Sequence, residues 1–150
     1  MTVQVGVSVI IYNYIDDRPH ILMGKRKGSH GAGTWAFPGG HVELFESAQD
    51  TAFRELEEET GLVPVDLVSA GSTRSQLKRG PYTEDVFEHE FKHYITLFFT
   101  CLLKQNAAEV VLKEPEKCEE WVWCNKLPSP LFLPVQNLPH DFDVFTGEMI

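Results

Sequence analysis

The chain has 150 residues, 43% of them hydrophobic, and a formal net charge of −9. That is enough for one domain with a real core and too short for two ordinary ones. The acidic balance and the lack of a long basic stripe argue against a DNA or RNA polymer as the main partner, and an anionic substrate would need local help from metal and a few cations.

Residues 3–12 alternate and are β-branched, which predicts a strand. The apolar run 5–11 inside it is too short for a membrane helix and lacks a basic flank. No export signal is legible, and the expected setting is the reducing cytoplasm, with no membrane partner. Residues 13–19 read as a polar turn and 20–26 as a returning strand. Residues 27–33 form a Gly-rich loop with a basic tip, and 34–37 a short strand. Phe37-Pro38-Gly39-Gly40 reads as a tight turn whose backbone carbonyls can approach a metal.

From Glu46 to Thr60 there is no Gly or Pro, and Gly61 stands where a helix wants its left-handed residue. The spacing predicts a helix over 47–60. On its wheel Ala48, Ala52, Glu55 and Glu59 fall within about 60° of one another, with Glu58 at the edge of that sector. Asp50 and Glu57 fall on the far side. Glu55, Glu58 and Glu59, at i, i+3 and i+4, are therefore expected to converge. Carboxylates crowded in this way repel unless cations sit among them, and hard oxygen ligands select Mg²⁺, with Mn²⁺ able to substitute. Arg54 has the planar fork that orients a carboxylate.

Beyond the helix, 62–72 reads as strand and 75–90 as a long loop, either a solvated insertion or a lid or dimer element. Among the acids of that loop, Glu84, Asp85, Glu88 and Glu90, a general base is conceivable. Residues 91–103 are the longest β-rich run, 120–124 a last strand with two tryptophans, and 131–138 a short helix among Pro128, Pro130 and Pro134. The mixture implies a mixed sheet flanked by helices. Cys101, Cys118 and Cys124 make no CxxC pair, and Cys101 and Cys118 read as buried strand residues. His89-Glu90-Phe91-Lys92-His93 matches H-E-x-x-H, a zinc pattern that works only on a helix, whereas β-branched and aromatic residues follow here. In an extended chain the two histidines would point to one side, too far apart to share zinc. His41 is either a turn residue or a contact to phosphate or base, and Arg26 a phosphate contact or a solvated strand end.

Gly40, five residues, Glu46, seven residues, then Arg54-Glu55-Leu56-Glu57-Glu58-Glu59-Thr60-Gly61-Leu62 resembles the Nudix box, G-x5-E-x7-R-E-U-x-E-E-x-G-U with U aliphatic, at every specified position. A chance match is expected about once in 10⁹ windows or rarer. The resemblance implies an α/β fold, the α/β/α Nudix sandwich, as a single domain over 1–150. It also implies a hydrolase of nucleoside diphosphates linked to another moiety.

The resemblance extends further. Gly24-Lys25-Arg26-Lys27-Gly28-Ser29, Pro38-Gly39-Gly40-His41-Val42-Glu43 and His93-Tyr94-Ile95-Thr96 resemble the MutT-homologue nucleotide-triphosphate diphosphatases. The segment from Glu114-Pro115-Glu116-Lys117 to Trp121-Val122-Trp123 is similar to that of the plant dihydroneopterin-triphosphate and NADH-hydrolysing relatives, and Leu131-Phe132-Leu133-Pro134 matches their short helix. By that likeness the Gly39 carbonyl and the Glu55, Glu58 and Glu59 side chains would bind Mg²⁺. Glu46 and Arg54 would support them, and Glu58 or Glu59 would serve as base. Phe37, Thr96, Phe132, Pro134 and Val135 would frame the base of the substrate. Ala36-Phe37 departs from the relatives' pattern. The implied reaction converts dGTP or oxidised dGTP-like purine triphosphates to monophosphate and pyrophosphate, sanitising the nucleotide pool. NADH or dihydroneopterin triphosphate is the alternative substrate, and a non-catalytic nucleotide sensor the alternative class. A homodimer is the implied assembly.

Overall fold

In the computed structural model, which describes residues 2–28, 30–68 and 76–150, the longest strand organises the rest. Strand β1 (Gln4–Ile15) pairs in parallel with β6 (Lys92–Leu102), Val5 opposite Ile95 and Ile11 opposite Cys101. Its other edge is shared. Tyr12–Ile15 pair with β2 (Arg18–Arg26), while Gly6–Ser8 pair with β4 (Gly39–His41). Strand β3 (Trp35–Ala36) pairs with the far end of β2, at Gly24 and Lys25. β1 and β2 thus diverge like a fork, and the segment 35–41 fills it. β5 (Lys78–Phe87) forms one edge on β6, and β7 (Cys118–Cys124) covers the free edge of β2. One parallel pairing among antiparallel ones makes the sheet mixed, as expected.

Alternation along β1 sends its residues to two cores. Val7, Val9 and Ile11 face α1 (Ala48–Thr60) and pack with Ala52, Leu56 and Leu62. Ile10 and Tyr12 face the opposite side and pack with Met23, Phe98 and Val135. The second side is covered by α2 (Leu133–Gln136), a single turn, and by the hairpin β8 (Phe142–Asp143) and β9 (Glu148–Met149), which sequence patterning did not reveal. A mixed sheet with a helix is the architecture that the Nudix resemblance implies. Its second helical layer is shorter than a sandwich of helices suggests, because Pro130 precedes and Pro139 follows the turn that Pro134 opens.

Several boundaries shift. The turn expected over 13–19 contracts to Asp16-Asp17, both at positive φ (52° and 61°), a two-residue connection whose twist suits the flanking strands. Residues 37–40 are not a tight turn: Gly39 and Gly40 enter β4 and pair with Ser8 and Val7. Residues 62–68 make a 3₁₀ turn (Pro64–Asp66) and one bridge, Leu67 to Leu103, in place of a strand, while 69–72 lie outside the described residues. The loop expected over 75–90 is strand β5 followed by a 3₁₀ turn (Glu88–Glu90), with Ser75 outside the described residues. Gly80-Pro81 had hidden the strand. The register shifts between Arg79 and Tyr82, and an edge strand tolerates a proline at such a bulge.

Candidate active site

Helix α1 is held at both ends by local chemistry. Ser47 Oγ accepts the Asp50 N–H at 3.1 Å, and Gly61 ends the helix at φ 80°. Burial of Thr51, Ala52, Leu56 and Thr60 against the sheet fixes its rotation. Glu55 and Glu59, one turn apart, then border a cleft of about 530 Å³. Glu57 is exposed, as its place on the wheel implies.

Arg54 organises the acids. Its Nε and Nη2 donate to Glu46 Oε2 and Oε1 at 2.7 and 3.0 Å, a two-pronged grip. Nη1 reaches Glu55 Oε1 at 2.8 Å and Glu58 Oε2 at 3.2 Å, and Nη2 also donates to the His41 carbonyl. Hydrogen bonds from Arg54 and Thr51 hold the Glu46 carboxyl down at about 2, and Glu46 in turn raises the Arg54 guanidinium. Burial pushes Glu55 up, against the pull of Arg54. Burial and the neighbouring Glu55 push Glu59 well above the usual carboxylate range. Glu59 Oε2 accepts the Gly39 N–H at 3.2 Å.

Of the three glutamates expected to converge, Glu55 and Glu59 border the cleft, while Glu58 stays beside Glu55 through a shared Arg54 nitrogen. Glu58 does not border the cleft; its side chain is 47% exposed and turned to Arg54. Among the described residues no three acidic, His or Cys side chains gather closely enough to cage a metal by themselves. The physical reason is Arg54, whose Nη1 occupies the space between Glu55 and Glu58. The remaining donor set still suits a hard divalent cation. Two crowded, desolvated carboxylates at a cleft wall match Mg²⁺, which commonly takes one or two carboxylates and completes its shell with water and phosphate.

Arg26, Phe37, His41, Thr96, Phe132, Pro134 and Val135 all line this cleft. Arg26 lies over the Phe132 ring at 4.1 Å and donates Nε to the His30 carbonyl at 3.0 Å; burial lowers its pKa, while Glu59 pulls it back up. His41 Nε2 and the Tyr94 hydroxyl share a hydrogen bond of 2.8 Å, and burial, then Lys92, lower the imidazole pKa. Phe37 meets Phe98 edge-on, so it serves core and cleft together. The Gly31 Cα, at φ 67°, approaches Phe132 so closely that a Cβ would lie 2.7 Å from the ring.

Sequence reasoning passed over other cleft residues. Lys92 and Lys117 add positive charge, and His30 meets Phe87 edge-on at 4.5 Å while its Nδ1 bonds the Glu90 carboxylate. The Gly-rich loop and the Glu114–Lys117 segment carried a signal for His30 and Lys117; Phe87 carried none once 75–90 read as loop, and Lys92 lay unremarked at the start of the β-rich run 91–103. Cys118 is half-buried at the cleft rather than in the core. His89 lies in the 3₁₀ turn instead of an extended chain, and His93, on β6, pairs through Nε2 with Glu84 at 2.7 Å, so the H-E-x-x-H residues do not lie on one helix. Asp85 is buried beneath the cleft, bonded to Thr83, Thr96 and Asn137.

An acid-bearing helix bordering a cleft that also holds Arg26, Lys92 and Lys117 fits the class of the pyrophosphohydrolases. The chain matches the NUDIX domain over residues 2–131 and belongs to that family. It is 31% identical over 143 residues to an RNA pyrophosphohydrolase of Hydrogenovibrio crunogenus, covering 89% of this chain and 77% of that one. It is 40% identical over 127 residues to an ADP-ribose pyrophosphatase of Methanocaldococcus jannaschii, covering 83% and 67%. A MutT NUDIX hydrolase structure from Burkholderia pseudomallei shares the fold, with a TM-score of 0.70 at 24% identity, covering 93% of this chain and all of that one. No helix among the described residues is long and apolar enough to cross a membrane.

Proposed function

We propose that the chain, as a single domain over 1–150, hydrolyses purine nucleoside triphosphates of the dGTP or oxidised-dGTP type to monophosphate and pyrophosphate, sanitising the nucleotide pool. The observation that carries this reading is one cleft joining the Glu55–Glu59 pair to an apolar pocket of Phe37, Pro134 and Val135 with the hydroxyl of Thr96. Phosphates need the first end and a flat base the second. Magnesium is the cation we assign, with Mn²⁺ able to substitute. Glu55 and Glu59 would hold it, with Glu58 and the Gly39 carbonyl as the further ligands that the family resemblance implies. When bound it offsets phosphate charge and lowers the pKa of the attacking water.

The chain's own residues do the rest. Arg54 fixes Glu46 and Glu55 in place. Arg26 offers a guanidinium to phosphate, its plane already braced on Phe132. His41, whose pKa burial and then Lys92 lower, is suited to offer a hydrogen bond rather than a charge. Glu59 borders the cleft and Glu58 does not, which supports Glu59 as the acceptor of the water proton. The three free cysteines suit the cytoplasm. A homodimer is the assembly the resemblance implies, and sedimentation would show it.

A second reading is a dinucleotide substrate such as ADP-ribose or NADH, favoured by the likeness to the ADP-ribose pyrophosphatase. A panel of dGTP, 8-oxo-dGTP, dihydroneopterin triphosphate, ADP-ribose and NADH with Mg²⁺, ranked by kcat/KM, separates the readings. Pyrophosphate release fastest from the purine triphosphates is expected. Faster cleavage of ADP-ribose or NADH would replace the first reading with the second, and binding without turnover would make the chain a sensor.

A further inference from the structure

The cleft rests on a carboxylate that hydrolysis does not use. Asp85, on β5, is 0% exposed. Its Oδ2 accepts the hydroxyls of Thr83 at 2.8 Å and Thr96 at 2.9 Å, and its Oδ1 accepts Asn137 Nδ2 at 3.0 Å. The same Asn137 amide nitrogen also reaches the Glu84 carbonyl at 3.4 Å. Asp85 makes no ion pair among the described residues. A buried carboxylate without a countercharge is costly, and apolar side chains would fill the space at lower cost.

The chemistry of the network gives it a direction. A carboxylate only accepts, so each threonine commits its single hydroxyl hydrogen to Asp85. Thr96 Oγ1 is left with lone pairs alone to offer the cleft that Thr96 lines. Asn137 follows α2, whose Pro134 and Val135 form the facing wall, so one network braces both sides of the pocket.

We infer that Asp85 is a specificity-positioning residue: it fixes the Thr96 hydroxyl as an acceptor and so makes that wall select a purine carrying an N–H donor on the edge it presents. The inference rests on the reading that Thr96 borders the base. A guanine-type edge, with its ring N–H and amino group, fits. An unsubstituted purine, whose ring nitrogens only accept, faces lone pair against lone pair.

The test is equilibrium binding of dGMP and of purine 2′-deoxyriboside monophosphate to the full chain, by calorimetry, beside dGTP turnover. The wild type should bind dGMP roughly tenfold or more tightly than the purine analogue, the worth of one hydrogen bond against an unpaired acceptor. Thr96→Val should bring the ratio near one, and Thr96→Ser should keep it. Asp85→Asn should also collapse the ratio, because an amide can donate to Thr96 and release its hydrogen into the cleft. Asp85→Ser, smaller and uncharged, is the second variant should Asp85→Asn fail to fold. A merely structural Asp85 would lower Tm and leave the ratio intact; that result in both variants overturns the inference and leaves the proposed function standing. Turnover of dGTP by a wild type that does not discriminate overturns the inference alone. Neither turnover nor discrimination removes the base-site reading and the inference with it.

Discussion

Gly40 faces Glu55 so closely that a Cβ on Gly40 would stand 2.3 Å from the Glu55 carboxyl carbon and 2.5 Å from its Oε1. Gly40 is not among the residues at positive φ, so the need here is space rather than a left-handed backbone. Glu55 cannot step aside freely, because Arg54 grips it at 2.8 Å. Gly40→Ala should therefore displace the acid that borders the cleft. The expected result is a loss of about 10²-fold in kcat/KM, the usual cost of misplacing a reacting arrangement by about 1 Å. Steady-state assays with a melting curve check it, the curve showing that the fold survives.

Arg54 tests the same arrangement from the other side. Lysine keeps the charge and loses the fork that grips Glu46 at two points. Arg54→Lys should lower kcat/KM by about 10- to 100-fold and cost about 1–2 kcal/mol of stability through lost hydrogen bonds. Denaturant unfolding and initial rates measure the two effects separately.

Metal and pH should act on Glu55 and Glu59 together. Both carboxyls are raised by burial, so their folded pKa values exceed the unfolded ones. The metal-free protein then keeps this contribution to stability below about pH 4.5 and loses it as pH rises through the raised values. A divalent cation needs the ionised pair and should reverse the loss. At pH 7.5, Mg²⁺ at a hundred times its Kd should add about 2.7 kcal/mol relative to chelator. The gain should shrink as pH falls toward 5 and be reduced in Glu59→Gln. Thermal melts across pH, with and without chelator, read this out.

Glu46 has the opposite sign. Its carboxyl is held at about 2 by Arg54 and Thr51, below the unfolded value of 4.5. Its contribution is present above about pH 4.5 and disappears as pH falls through about 2. Unfolding midpoints between pH 2 and 5 should fall more steeply for the wild type than for Glu46→Gln.

The sequence made α1 legible because independent signals agreed: no Gly or Pro from Glu46 to Thr60, Ala48 and Ala52 on one sector of the wheel, and the stop at Gly61; the cap at Ser47 emerged only with the structure. β6 and β7 were legible from dense β-branched and aromatic residues. β5 was not, because its buried positions are the polar Thr83 and Asp85 and Gly80-Pro81 imitates a turn. That one misreading concealed Phe87 and gave Asp85 the wrong setting. In the site, wheel geometry located the acids but not the direction of their carboxylates. Glu58 sits at the predicted edge, yet Arg54, four residues earlier, draws it out of the cleft. Side-chain partners of this kind depend on rotamers that periodicity does not encode.

Phe45 marks a place where the loop before α1 is strained. It is 100% exposed and sits at φ 67°, a left-handed conformation that a bulky residue adopts at a cost. Its ring gains no burial to offset that cost. Phe45→Gly removes the strain, about 1–3 kcal/mol, and adds back about 0.4–1 kcal/mol of unfolded-chain entropy. A net gain of about 1 kcal/mol is expected in denaturant unfolding. Turnover should be unchanged, because Phe45 does not line the cleft. A stabilised variant that has lost kcat/KM would show instead that the ring contacts substrate across the entrance, and that the strain is retained to place it there.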